Sequence, residues 1–273
     1  MQLEGKTVLV TGSTDGVGRY VARKLAEAGA QVLLHGRDRE RAHALADEIH
    51  RLGYRKPVFY PADLSSLAEV RKLAEAVAGS QPQLDILISN AGIGTSKPGP
   101  QRCVSQDGHE LRFAVNYLAG FLLVRMLLPS LKASVRSRII NVSSIGQQPI
   151  DLDDPMITKG YSGTRAYCQS KLAQVMFTID LAEELAGSGI VVNALHPATY
   201  MNTTMVRQGG ITPMSTIEQG GEAILRLVAD DNIGSGLFFN GLTQARANPQ
   251  AYDRAARQRL RRLSFELTGL ADL

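Results

Sequence analysis

Tyr167 and Lys171 stand four residues apart in an apolar-periodic segment that continues through Leu172, Val175, Met176, Ile179 and Leu181. On a helix that spacing stacks the two side chains on one face. An ammonium held near a phenol favours the phenolate, drawing the Tyr pKa down from its ordinary value of about 10. A phenol so tuned gives or takes a proton near neutral pH, as ketone reduction and alcohol oxidation require. A helical Tyr and Lys that never meet over a substrate would show the same spacing, so the pair needs support elsewhere in the chain.

That support begins at the amino terminus. Thr7 to Val10 is a short β-branched run, Gly12-Ser13-Thr14-Asp15-Gly16-Val17-Gly18 is a glycine-rich turn, and Val17 to Ala28 is a helical pattern closed by Gly29. Strand, glycine turn and helix open a dinucleotide-binding βαβ unit. The glycines at 12, 16 and 18 are spaced more widely than in G-x-G-x-x-G. They let the backbone approach a pyrophosphate, and the helix beyond offers its free N–H groups. The second strand, Gln31 to Leu34, runs into His35-Gly36-Arg37. A carboxylate at its end would bond the ribose 2′-hydroxyl and repel a 2′-phosphate. Gly36 stands there instead, and Arg37 offers a fork that suits a phosphate. The expected cofactor is NADP(H), with NAD(H) the alternative because Asp38 and Asp15 lie close by; Arg37 could also simply pair with Asp38 or Glu40.

The remaining elements alternate in the same manner. Arg39 to Leu52 is an amphipathic helix, Pro57 to Tyr60 a third strand, and Asp63-Leu64-Ser65-Ser66 either a helix cap or part of the site. Leu84 to Ser89 is apolar enough for a central parallel strand, and Asn90-Ala91-Gly92 follows it. Gly108 to Leu131 reads as one long helix, apolar on most faces and interrupted by Asn116. Arg138 to Val142 is a fifth strand ending in Ser143-Ser144, and Ile190 to His196 a sixth, followed by Pro197 and by Thr199 and Thr203. Ile217 to Val228 is a helix, Gly236 to Phe239 a last strand, and Pro249 to Leu267 a final helix.

The glycine turn, Asn90-Ala91-Gly92, Asn141-Val142-Ser143-Ser144 and Tyr167-Cys168-Gln169-Ser170-Lys171, in this order, resemble the short-chain dehydrogenase/reductase family over nearly the whole chain. The run Tyr167 to Val175 looks most like its retinol-dehydrogenase-like branch. The resemblance implies a single doubly wound Rossmann-type α/β domain over 1–273. It would have about seven parallel strands, a cofactor half of about 1–145 and a catalytic half of about 146–273. It implies Tyr167 as general acid/base and Ser144 (Ser143 in reserve) orienting the substrate oxygen. Lys171 would tune Tyr167 and hold the nicotinamide ribose, while Asn116 holds a water in the proton relay. It also implies Asp63 on the adenine amino group with Leu64 on the ring, and Asn90, Ala91 and Gly92 beside the cofactor. The backbone after Pro197, with Thr199 or Thr203, would meet the nicotinamide amide. Ala198 departs from the glycine most relatives have there.

The implied reaction is reversible hydride transfer between the nicotinamide and a carbonyl/alcohol pair. A catalytically idle cofactor sensor is the competing reading, which Tyr167, Lys171, Ser144 and Asn116 together argue against. Three loops, 93–102, 145–162 and 199–215, carry Ile93, Ile145, Ile150, Met156, Ile157, Tyr200, Met201 and Met205, which suit an apolar substrate; 200–215 has the composition of a mobile lid.

Bulk composition narrows the alternatives. With 44% hydrophobic and 21% charged residues and a net charge of +4, the chain reads as an ordinary globular protein. No basic block interleaves with aromatics, so nucleic acid is an unsuitable partner, and Arg254 to Arg262 is expected to be a solvated face. Two cysteines, Cys103 and Cys168, and five scattered histidines give no zinc spacing or disulfide framework, so no metal is expected. No signal peptide and no membrane-spanning run are read, and the expected location is cytoplasmic. The spare apolar faces of the Gly108–Leu131 and Tyr167 helices predict a homo-oligomer, a dimer foremost.

Overall fold

The computed structural model describes residues 1–95, 99 and 101–271. One sheet carries the chain, with strands in the order β3-β2-β1-β4-β5-β6-β7-β8. These are β1 (Thr7–Val10), β2 (Gln31–Gly36), β3 (Val58–Pro61), β4 (Ile86–Ser89), β5 (Ser137–Val142), β6 (Ile190–His196), β7 (Phe238–Asn240) and β8 (Thr243–Ala245). Seven are parallel, as expected. The eighth corrects the count: β8 turns back antiparallel on β7, pairing Phe238 with Ala245. Three residues of modest apolarity gave no alternation from which to read it.

Strand periodicity of two splits the core into two layers. Leu9, Leu33, Leu87, Ile139 and Val192 point to one face, packing with α3 (Leu67–Ser80), α5 (Ala119–Lys132), α6 (Gly163–Glu184) and α9 (Arg254–Thr268). Val8, Val10, Val32, Ile88 and Ile140 point to the other, against α1 (Gly16–Glu27), α2 (Arg39–Arg51) and α8 (Ile217–Ala229). Strands buried on both faces explain why these runs read as continuously apolar.

Two further expectations change. The helix read over Gly108–Leu131 starts later and is interrupted: one turn of α4 (Leu111–Phe113), a π-turn over Ala114–Leu118, then α5. Taken as one piece, Leu111–Lys132 is by length and composition apolar enough to cross a membrane, which the sequence reading had missed. Two thirds of it is packed inside the protein. The spare apolar faces are also partly covered from within. Phe121 meets Phe177 and Phe265 at ring-centroid distances of 5.1 and 5.2 Å, and Met176, Phe177 and Leu181 are buried in the single chain. Phe265 of α9 packs on Phe121, so part of this apolar surface is covered within the single chain.

The arginines of α9 are not a plain solvated face. Arg257 bonds Glu183, Arg261 pairs with Glu184 at 2.7 Å, and Arg259 reaches Asp153. Pairs of this kind are individually weak where exposed, but here they orient a helix that the aromatic cluster holds.

Candidate active site

The site lies along the carboxyl edge of the parallel strands, where chain reversals leave a crevice. Its cofactor side is built by steric exclusion. A Cβ added to Gly18 would stand 2.2 Å from the Gly12 carbonyl oxygen, and one added to Gly12 (φ +65°) 2.9 Å from the Ala91 Cα. No side chain fits either position, so the backbone is bare where a pyrophosphate would lie. Asn90 locks this turn to β4: its Nδ2 donates to the carbonyls of Thr11 (2.9 Å) and Gly12 (3.2 Å). Ser13 is fully buried and spends its hydroxyl on the His35 backbone, while Val17 points into the core. Those two positions can meet a ligand only through their backbone.

His35, which sequence reasoning passed over, sits beneath the turn. The Gly12 N–H donates to its Nδ1 at 3.2 Å, a bond that requires a neutral imidazole. Burial pushes its pKa down to about 4.

At the end of β2, Gly36 packs against the Thr14 side chain: a Cβ there would lie 2.8 Å from Thr14 Cγ2 and 2.9 Å from Thr14 Oγ1, so a larger residue would need Thr14 to turn aside. Arg37 is exposed and, among the described residues, makes no hydrogen bond or ion pair. The acidic neighbours are occupied elsewhere. Asp15 caps α1 through the Gly16 N–H (2.7 Å) and pairs with Arg41 (3.3 Å); Asp38 caps α2 and pairs with the same Arg41 (3.2 Å). Arg41 was missed because it lies one helical turn beyond the strand end, in an already charged pattern.

Asp63 accepts from the Ser65 N–H (2.9 Å), and the helix cap that was its alternative role belongs to Ser66. Leu64 is 92% buried in the core rather than presented for stacking.

The chemical centre joins three elements. Ser144 leaves β5, Tyr167 and Lys171 share a face of α6, and Asn116 projects from the π-turn. Ser144 Oγ accepts from Gly146 N–H at 3.0 Å and lies close enough to the Tyr167 phenol to oppose the upward push on its pKa, whereas Ser143 Oγ donates to the Lys171 carbonyl (2.7 Å). Of the two serines, only Ser144 reaches the phenol. Asn116 accepts from Ile93 N–H (2.8 Å) and donates to Ile93 O (3.1 Å) and Ser170 Oγ (2.9 Å). A point 3.1 Å from its Oδ1 and 3.5 Å from Lys171 Nζ, where a Cβ of Gly92 would be, shows that both groups face the same strip of backbone.

The electrostatics differ from expectation. Burial pushes the Tyr167 phenol up, with the Ser144 hydroxyl opposing, and Lys171 does not draw it down. The reason is geometric: Nζ lies 5.8 Å from the Tyr167 ring centroid and gives its protons to Val142 O (3.0 Å) and Gln174 Oε1 (2.9 Å). Burial brings the Lys171 pKa down to about 7.

The substrate side is stapled rather than sterically closed. Arg112, fully buried, donates to Gly94 O (2.9 Å), Thr95 O (2.7 Å) and Tyr161 Oη (2.7 Å), and Tyr161 donates to Glu110 (3.0 Å). A charged pair inside an apolar helical pattern was its only sequence signal. Residues 96–98 and 100 of the loop expected over 93–102 lie outside the described residues. In the segment after β6, Thr203 Cγ2 is 3.2 Å from where a Cβ of Gly16 would be, while Thr199 Oγ1 is tied to His196 Nε2 (3.0 Å). This separates the two threonines: Thr203 lies over the glycine turn, Thr199 outside it, and Pro197 is buried at the strand end. Met205 reaches across to Gly94, and Tyr200 is held at φ +45°, a strained state for a residue with a side chain. Ile145, Tyr200, Met205 and Leu242 are each about half exposed, grouped by chain position at the ends of β5, β6 and β7.

With this geometry in place, comparison with known proteins is direct. A family model described as short chain dehydrogenase matches residues 6–211. Retinol dehydrogenase 13 of Homo sapiens is 37% identical over 98% of this chain and 86% of its own length. Dehydrogenase/reductase SDR family member 13 of Bos taurus is 36% identical over 98% and 74%. Among solved structures, an uncharacterised protein from Mycobacterium Paratuberculosis superposes with TM-score 0.82 at 29% identity, covering 98% of this chain and 95% of the other. The Pseudomonas aeruginosa RhlG/NADP active-site complex superposes at 0.70 with 28% identity, covering 88% and 95%.

Proposed function

Because the chain belongs to the short-chain dehydrogenase family, we propose that it is an NADP(H)-dependent oxidoreductase acting on an apolar carbonyl/alcohol pair. The bare turn at Gly12 and Gly18 fits a dinucleotide, since a methyl group at either position would run into backbone. Residues 12–18, Asn90, Ala91, Gly92 and Thr203 would line it, Asp63 would meet the adenine, and Arg37 the 2′-phosphate. When bound, the cofactor supplies or accepts the hydride. The protein's part is the proton. Tyr167 gives it to the nascent alkoxide during reduction and takes it back during oxidation. The raised phenol pKa keeps Tyr167 protonated at neutral pH, which suits the reductive direction. Ser144 bonds the same oxygen and steadies the phenol, and Lys171 and Asn116 carry charge and protons behind it.

The observation that carries the cofactor choice is the end of β2. Position 36 carries no acid and packs against Thr14, Arg37 is unspent among the described residues, and both nearby aspartates are paired with Arg41. The exposed Ile145, Tyr200, Met205 and Leu242 support an apolar substrate; the retinol in its relatives' names is one member of that class. The test is turnover of a panel of aldehydes, aromatic ketones and long-chain ketones with NADPH and with NADH. A higher kcat/KM with NADPH is expected, and preference for NADH would refute the cofactor assignment. Turnover confined to small charged carbonyl compounds would refute the substrate class.

A further inference from the structure

Lys171 is held by a residue to which nothing above assigns a role. Its Nζ donates to a backbone carbonyl, Val142 O, and to one side chain, Gln174 Oε1, at 2.9 Å. Lys171 and Gln174 are 5% and 4% exposed. An ammonium has protons to give and no lone pair, so it is the amide oxygen of Gln174 that must face it. Gln174 lies three residues further along α6, on the same helical face. Its own turn is braced: its carbonyl accepts from Thr178 Oγ1 (2.8 Å), which accepts from Asn141 Nδ2 (2.8 Å) on β5.

The surroundings make that single acceptor consequential. The titratable groups near Lys171 are Tyr167 on its own helix and His196 at the end of β6, whose pKa is lowered by burial and then by the Lys171 charge. Asn116, facing it across Gly92, is neutral, and among the described residues no carboxylate pairs with Lys171. Among the described residues, two neutral acceptors and the face of the Tyr167 ring, 5.8 Å from Nζ, offset the loss of hydration.

We propose that Gln174 is a positioning residue for Lys171, its amide oxygen holding the ammonium beside the end of β5 until the cofactor ribose draws it forward. The proposal rests on the proposed oxidoreductase function for its kinetic readout only. Its sign follows from which protonation state Gln174 favours. A bond from the ammonium stabilises the charged form, so deleting the acceptor lowers the lysine pKa and the charge is lost at lower pH. A carboxylate at the same place does the reverse.

The test compares wild type with Gln174→Met, which keeps length and bulk but loses the acceptor, and Gln174→Glu, which keeps an acceptor and adds charge. The pH dependence of kcat/KM for NADPH reports groups in the free protein. Its alkaline limb should move to lower pH in Gln174→Met by about one unit, a tenfold drop at fixed pH above the limb, and to higher pH in Gln174→Glu. A uniform fall at every pH, with the limb unmoved, would mean a packing role and overturn the proposal. A titration of ¹⁵N-labelled lysine side chains, followed by NMR on the unliganded proteins, reads the same shift without turnover. If wild type turns over no carbonyl compound yet this titration shows the predicted ordering of the three proteins, the proposed function falls and the Gln174 assignment stands. An identical Lys171 titration in all three would end it.

Discussion

The two ends of the crevice are held by different physics. At the cofactor end, between β1, β2 and β4, position is enforced by close approach: a methyl group at 12 or 18 would come within 3 Å of backbone atoms. At the substrate end, between β5, β6 and β7, position is enforced by polar staples between segments distant in sequence. Gln147 donates to Ser144 O (2.7 Å) and accepts from Asn248 N–H (2.8 Å), while Gln250 grips both backbone groups of Ile150. A steric mould accepts one shape, which suits a constant ligand. Staples around half-exposed apolar side chains can be re-spaced, which suits a varied one. The contrast is one of division of labour: the first end sets the cofactor, and the second sets what the cofactor's hydride meets.

The comparison can be broken at its junction. Tyr167→Phe removes a proton and almost no volume, so turnover should fall by about 10²–10⁴ while the Kd for NADPH stays within a few-fold; stopped-flow binding beside steady-state rates measures both. Retained turnover would mean the substrate end works without that phenol.

The cofactor end can be loosened from beneath by acid. His35 has a folded pKa near 4 against about 6.5 when unfolded. The unfolded chain therefore binds the extra proton first. The stability is whole above pH 6.5 and is lost as pH falls from there toward 4. The expected loss is about 3 kcal/mol, and protonation also removes the acceptor that the Gly12 N–H needs. Urea melts of wild type and His35→Gln across this range isolate it, since the variant's curve should be flatter; parallel curves would deny His35 the role.

Arg37→Ala probes the same end by charge alone. A charge-assisted contact is worth about 1.5–3 kcal/mol, so KM for NADPH should rise roughly ten- to hundredfold with KM for NADH little changed. Equal rises for both cofactors would move the 2′-phosphate contact elsewhere.

Two glycines sharpen the steric claim. Gly18→Ala must displace the Gly12 carbonyl or Asn90 and should cost about 1–3 kcal/mol, seen in Tm and in weakened cofactor binding. Gly79 lies exposed in α3 with nothing within 4 Å of an added Cβ. Gly79→Ala should stabilise by about 0.5–1 kcal/mol, the smallest effect and of opposite sign. If both variants gain stability alike, helix propensity and not steric exclusion governs these positions.

What could be read from the chain follows the range of the forces involved. Most strand and helix periods, the glycine turn, the Tyr167–Lys171 spacing and the serine at the end of β5 are local patterns and lie where the pattern said they would; the interrupted helix after Gly108 and the short β8 do not. The family could be read for the same reason, because its motifs are local signatures of one fold. The tertiary structure alone decided matters between residues far apart. It laid α9 on the apolar faces of α5 and α6, because Phe265 lies across from Phe121 only once the chain has folded back. It brought Asp15 and Asp38 to one arginine, Arg41, which the chain order alone did not show. It turned Lys171 toward Gln174 and Val142 rather than toward the phenol four residues before it. Helical spacing fixes which face a side chain leaves from, but a buried ammonium goes to the acceptors that packing brings within 3 Å, and those are set by the whole fold.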